Sequence, residues 1–166
     1  GIRTEGADIQ KFLREALRTH RAALEIYTRE LLPQDWAMTQ NNLGVVLRDL
    51  GTRVSGVEGC QSLREAITAF HAALEIRTRQ QLPQHWAATE NNLGVTLRAL
   101  GERVSGVEGL AFLRDAMTAH QAALEIHTRQ QLPQQWAATQ NNLGGVLRDV
   151  GTRVSGAEGR QSLRDS

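Results

Sequence analysis

A single cysteine, Cys60, leaves the chain without an internal disulfide, and its counterparts in the sequence pattern are Leu110 and Arg160, so nothing there requires a thiol. There is no run of about 18 apolar residues, which excludes a membrane-spanning helix. The opening stretch GIRTEGADIQ lacks the apolar core of a signal peptide. Charge of one sign is not in excess: 19 Lys plus Arg stand against 18 Asp plus Glu, unlike a nucleic-acid or membrane-surface binder. No segment alternates apolar and polar residues with period two, and prolines and β-branched clusters are few, so strands are not expected. These absences predict a soluble, cytoplasmic, all-α protein.

What is present is repetition. Trp36, Trp86 and Trp136 are 50 residues apart, and the pairs Asn41–Asn42, Asn91–Asn92 and Asn141–Asn142 keep that step. So do the RVSG tracts that start at Arg53, Arg103 and Arg153. A fixed period marks an array in which each unit buries its apolar face against its neighbours. The expected organisation is one array over 1–166, with a leading helix B in 1–31, repeats at 32–81 and 82–131, and an incomplete repeat at 132–166.

Within one repeat, Pro33 suits a first helical turn, where its missing N–H costs nothing. Trp36, Leu43, Leu47 and Leu50 then fall on one side, so a helix A is expected over Gln34–Leu50, with Gly51 as its stop. Ser55 and Glu58 have the spacing of a capping box, repeated at Ser105–Glu108 and Ser155–Glu158. A helix B follows, read over Leu63–Gln80 from Leu63, Ala66, Ile67, Phe70, Ala73 and Leu74. The leading helix B is read as Asp8–Glu30. The order is B, A, B, A, B, A and then a stub, Arg160–Ser166. Both ends fall in mid-unit, as in a piece cut from a longer array.

Leu43–Gly44 with Leu47, then Ala66 with Phe70 and Ala73, then Pro83, resemble the pattern of tetratricopeptide repeats. The period of 50 and the phrases NNLG and AALEIRTRQ (Ala72–Gln80) are more similar to the longer kinesin-light-chain-like repeats. They also resemble bacterial WAxTQNNLG repeats from large multidomain regulatory proteins. The resemblance implies a right-handed α-solenoid of antiparallel helix pairs, in which helix A lines a concave groove. Glycine and alanine at Gly44 and Ala66 allow close helix approach, and Phe70 fills the space between layers.

No catalytic or metal-binding set converges in the sequence, and no cofactor is expected. The histidines do not share a register, apart from His20 and His120, where the middle repeat has Phe70. A position that accepts Phe or His reads as a core filler. Glu75–Arg79 and Glu125–Arg129 have the spacing of helix-surface pairs. SGVEG (Ser55–Gly59) lacks the Lys-Ser/Thr of a phosphate loop.

The asparagines admit two readings. On a helical wheel with Leu43 at 0°, Asn41 falls near 160°, Arg48 near 140°, Val45 near 200° and Asn42 near −100°. In the first reading they line the groove and grip a peptide backbone. The candidate site is then Asn41, Asn42, Val45, Arg48, Asn91, Asn92, Val95, Arg98, Asn141, Asn142 and Arg148. An amide offers both donor and acceptor, and the arginines add forks for carboxylates, which suits an acidic partner. In the second, Asn42 caps or bridges to an adjacent helix, or recent duplication left the repeats alike.

The expected function is a non-enzymatic scaffold that binds a protein or peptide partner, with no nucleic acid and no membrane. The alternative is a structural spacer or self-assembly module of a larger protein. Three further expectations follow. The tryptophans are buried between repeats. The groove is cationic. The chain associates head to tail through its truncated ends, where Phe12, Leu13, Leu17 and Leu24 at one end meet Leu143, Leu147 and Val150 at the other.

Overall fold

The computed structural model describes residues 2–164, with side chains for Gly6 and for residues 8–156. Within it the chain is all-helical: α1 (Ile2–Ala23), α2 (Pro33–Arg53), α3 (Gly56–Leu74), α4 (Pro83–Arg103), α5 (Gly106–Leu124) and α6 (Pro133–Arg164). Each helix packs on the next, with the tightest pairs α2–α3 and α4–α5. The order is the expected B, A, B, A, B, A. No helix is long and apolar enough to cross a membrane among the described residues.

Local chemistry accounts for the A helices. Pro33, Pro83 and Pro133 occupy the first positions, and the first turn closes through Trp36 N–H to Leu32 O, with the same bond at Trp86 and Trp136. The core is continuous from Leu17 to Val146. It joins Leu47 and Leu97 of the A helices with Ala66 and Ala116 of the B helices. Phe70 is fully buried against Gly44, where an added Cβ would come 2.8 Å from the ring. His120 takes the same place over Gly94, at 2.7 Å.

Gly51 does not stop helix A. It lies inside α2, where a Cβ would approach Leu63 Cγ to 2.9 Å, and Gly101 faces Leu113 in the same way at 3.0 Å. The glycine is there for close packing, and α2 runs three residues further to Arg53. Helix B is shifted towards the N-terminus relative to the periodicity: α3 runs Gly56–Leu74 rather than Leu63–Gln80, and α1 runs Ile2–Ala23 rather than Asp8–Glu30. The chain leaves the helix there through Arg77 N–H to Ala73 O and then a bond from Leu82 N–H to Thr78 O. Helix propensity is a weak prior, and here the tertiary context overrides it.

The A-to-B turn is built differently from a capping box. Ser55 and Ser105 hold the cap positions, but neither side chain caps the helix. Glu58 and Glu108 instead reach back to Arg14 and Arg64 of the preceding B helix, both at 2.8 Å. The reversal rests on Gly56 and Gly106, with φ of 70° and 69°, a region that favours glycine. The turn is also gripped from the next repeat. Arg103 donates to the carbonyls of Gly51, Thr52 (2.9 Å) and Val54 (3.2 Å), and Arg153 donates to those of Gly101 and Val104 (2.8 Å). A cation there satisfies carbonyls that the helix end leaves open and complements its negative dipole end.

No such grip reaches α6 among the described residues, and α6 does not turn. It continues as one helix of 32 residues through Ser155, whose hydroxyl donates to Gly151 O at 3.0 Å. The expected break at Ser155 is therefore absent. The Glu158 side chain and the side chains of the stub Arg160–Ser166 lie outside the described residues. The two turns that do form share a restraint from outside their own sequence, the arginine of the next A helix.

Consecutive A helices also approach directly, α2 on α4 and α4 on α6, whereas consecutive B helices do not meet backbone to backbone. The B helices are spanned by long side chains, including Arg21–Glu65 at 3.3 Å. The A side is thus the more crowded side of the stack.

Candidate functional site

On the A side, residues of equal register form rows that cross the helices. Met38, Ala88 and Ala138 make an exposed row, and Val45, Val95 and Gly145 a half-buried one. Asn42, Asn92 and Asn142 lie between them, and Asp49, Ala99 and Asp149 lie beyond. The wheel places these rows opposite Leu47, which is why they stay outside the core.

The asparagines bridge repeats. Asn92 Nδ2 donates to Asn41 Oδ1 at 3.4 Å, and Asn142 Nδ2 donates to Asn91 Oδ1 at 3.2 Å. Each acceptor has a second neighbour: Thr89 Oγ1 lies 3.2 Å from Asn41 Oδ1, and His120 Nδ1 lies 3.1 Å from Asn91 Oδ1. The bridging reading of these residues thus has direct hydrogen bonds behind it. Asn42 and Asn141 hold the outer places of this ladder and stay exposed, and Asn41 Nδ2 donates to Asn42 Oδ1 at 3.4 Å.

The arginines do not make this side cationic as expected, because each lies against a carboxylate. Arg48 bonds Asp49 at 3.0 Å, and Arg148 bonds Asp149 at 3.2 Å. Arg98 reaches across the seam to Asp149 at 2.7 Å and lies 3.1 Å from Glu102. Gly145 makes that crossing possible, since a Cβ at this position would meet the Arg98 guanidinium. Arg48 has no such route, because Ala99 stands where the third repeat has Asp149. Burial raises the Glu102 carboxyl despite the nearby Arg98. Burial also works to raise Asp149, but hydrogen bonding and charge from Arg98 prevail and hold it below the usual carboxylate range.

The tryptophans are half-buried rather than buried. They sit in the first turn of each A helix, beyond the end of the preceding B helix. The Arg79 guanidinium lies over Trp86 at 5.9 Å and Arg129 over Trp136 at 5.7 Å. The deeply buried residue of that turn is its neighbour, Ala37 or Ala87. The Glu–Arg pairs also differ from expectation. They join repeats, Arg29 to Glu75 at 2.6 Å and Arg79 to Glu125, and do not run along one helix.

Two buried polar groups went unrecognised in the sequence. Arg77 donates to Thr89 Oγ1 at 3.0 Å, and His127 Nδ1 lies 3.0 Å from Thr139 Oγ1 at the same register. Burial lowers the pKa of both. The signal was the threonine at the same place in every repeat, Thr39, Thr89 and Thr139. His120 behaves as the core filler expected, with Nε2 buried and without a hydrogen-bond partner. Burial, aided by the charge of Arg98, lowers its pKa to about 4.

Hollows on the A side are shallow. One of about 160 Å³ lies among Asp35, Met38, Arg77 and His85, and one of about 200 Å³ among His85, Ala88, His127 and Gln135. A site for a small organic ligand usually encloses about 300–1,000 Å³, a size reached by two open hollows at the A-to-B turns, about 560 Å³ beside Val107 and Arg153 and about 720 Å³ beside Val57 and Arg103. Among the described residues, no group of three His, Cys, Asp or Glu side chains could hold a metal ion. No protein-family model, curated protein or solved structure matches the chain.

Proposed function

We propose that this chain is a tetratricopeptide-like array, wound as a right-handed superhelix, that serves as a non-enzymatic scaffold. Its partner is an extended peptide segment laid across the A helices. The observation that carries this reading is the pair of apolar rows, Met38–Ala88–Ala138 and Val45–Val95–Gly145, on the side where successive A helices meet. They offer shallow apolar contacts at a regular step, with the exposed amide of Asn42 between them for the peptide backbone. Because Arg48, Arg98 and Arg148 already have acidic neighbours, the partner segment is small-residue and apolar rather than acidic. The bacterial, cytoplasmic setting suggested by the repeat resemblance belongs to the same proposal.

A second reading, a spacer within a larger protein, is favoured by the use of most recurrent polar residues in the seams between repeats. One experiment separates the two. Peptides are selected by display against the chain, and their binding is mapped by amide shift changes. The scaffold reading expects shifts along Met38, Asn42, Val45, Ala88 and Val95, and at least ~tenfold weaker binding in Val45→Glu/Val95→Glu. Shifts confined to α3 and α5, or binding indifferent to that double variant, would refute it in favour of the spacer.

A further inference from the structure

The two faces that flank the stack are complementary, and the rule of fit comes from the chain's own seams. In α2, Gly44 and Gly51 are notches filled by Phe70 and Leu63; in α4, Gly94 and Gly101 are filled by His120 and Leu113. In α6 the equivalent notches, Gly144 and Gly151, meet nothing within 4 Å. Between them Leu147 is 50% exposed, while Leu47 and Leu97 are buried at 3% and 6%. The matching knobs on α1 are His20 and Leu13, both half-buried.

The polar edges of the seam repeat the match. Arg29 pairs with Glu75, and Arg79 with Glu125, across the two internal seams. At the next step Arg129 has no carboxylate partner among the described residues, and neither Glu25 nor Arg129 enters an ion pair there. Arg64 lies over the Phe112 ring at 5.3 Å; by the same step the exposed Arg114 is in register for Phe12, which is 71% exposed.

We infer that the open face of α6 is a docking surface for α1 of a second copy of this chain. His20 of the incoming copy seats at Gly144, Leu13 at Gly151, and Glu25 pairs with Arg129. The contact is head-to-tail, so each docked copy presents a fresh α6 face, and growth continues unless the ring closes. Ile9 limits the fit. It stands where Gly59 and Gly109 pass close against a carbonyl, so α1 engages α6 from Leu13 onward and its first turns splay away.

Sedimentation across a concentration series tests this on the chain as it stands. The average mass should rise with concentration. Gly144→Trp, which fills a notch that touches nothing in the monomer, should leave the thermal melt unchanged and weaken association at least ~tenfold. Glu25→Arg should weaken it as well, and Arg129→Glu in the same chain should restore it. A mixture of Gly144→Trp and Glu25→Arg chains retains one intact face of each kind and should stop at dimers. Two outcomes would overturn the proposal. One is a monomer at every concentration. The other is a Gly151→Trp melt that falls, which would mean that residues 154–164 of the same chain fold back onto α6 and that Leu163, the sequence counterpart of Leu63 and Leu113, fills that notch itself.

Discussion

Replacing His120 with Phe should stabilise the protein, and more so in acid. His120 is fully buried in the place that Phe70 fills one repeat earlier, so the pocket accepts a phenyl ring. Its Nδ1 bonds Asn91, but Nε2 has no partner, and a buried polar atom left so costs ~1–3 kcal/mol. Phe removes that cost and gives up one hydrogen bond of ~1 kcal/mol, while Asn91 keeps its bond from Asn142. The net gain at neutral pH is about 1 kcal/mol. Acid adds to it. The folded pKa of about 4 lies below the ordinary 6.5, so between those values the unfolded chain binds the proton and the folded chain does not. The stability of the histidine form is therefore full above pH 6.5 and is lost as pH falls towards 4. At about pH 4.5 that loss amounts to ~2–3 kcal/mol, at 1.36 kcal/mol for each unit. Urea titrations of both proteins at neutral pH and near pH 4.5 measure the difference, in which carboxylates common to both cancel. A gain that does not grow in acid, or a phenylalanine variant less stable than its parent at neutral pH, would refute the placement of this ring.

Glycine substitutions should split by position. Gly59→Ala, driven against Val54 O and Arg103, should cost more than ~2 kcal/mol, whereas Gly151→Ala, with nothing within 4 Å, should be neutral or stabilise by up to ~1 kcal/mol in thermal melts. Arg103→Met should cost ~1.5–3 kcal/mol and raise hydrogen exchange at the end of α2, because three carbonyls lose a charged donor. Arg53→Met should cost under ~0.5 kcal/mol, since Arg53 bonds only Asp49 O of its own helix; equal losses for the two would contradict the clamp. Trp86→Ala should cost ~1–2 kcal/mol, the loss of a half-buried ring under Arg79, and a loss above ~4 kcal/mol would show the ring to be in the core after all.

Much of the architecture is legible in the sequence because repetition writes it three times. The all-helical order, the first two A helices within three residues of their observed ends, the burial of Phe70 and the role of His120 as its stand-in all follow from period and side-chain type. The leucines at Leu43, Leu47 and Leu50 face inward because a helix of 3.6 residues per turn puts them on one side, whatever surrounds it. Tertiary structure alone decided the rest, and in each case the deciding atom belongs to another repeat. A wheel drawn on one helix shows that Asn41 points away from its own core, but not that Asn92 approaches it from the next A helix. Arg48 has Asp49 beside it in the sequence and Arg98 has Ala99; that Arg98 instead reaches Asp149, past Gly145, is decided on α6. The same RVSG tract turns after α2 and α4, where an arginine of the next A helix grips it, and runs straight through α6, where no such grip is found among the described residues. Local sequence sets what a segment prefers, and a neighbour 50 residues away, placed by packing, sets which preference is realised.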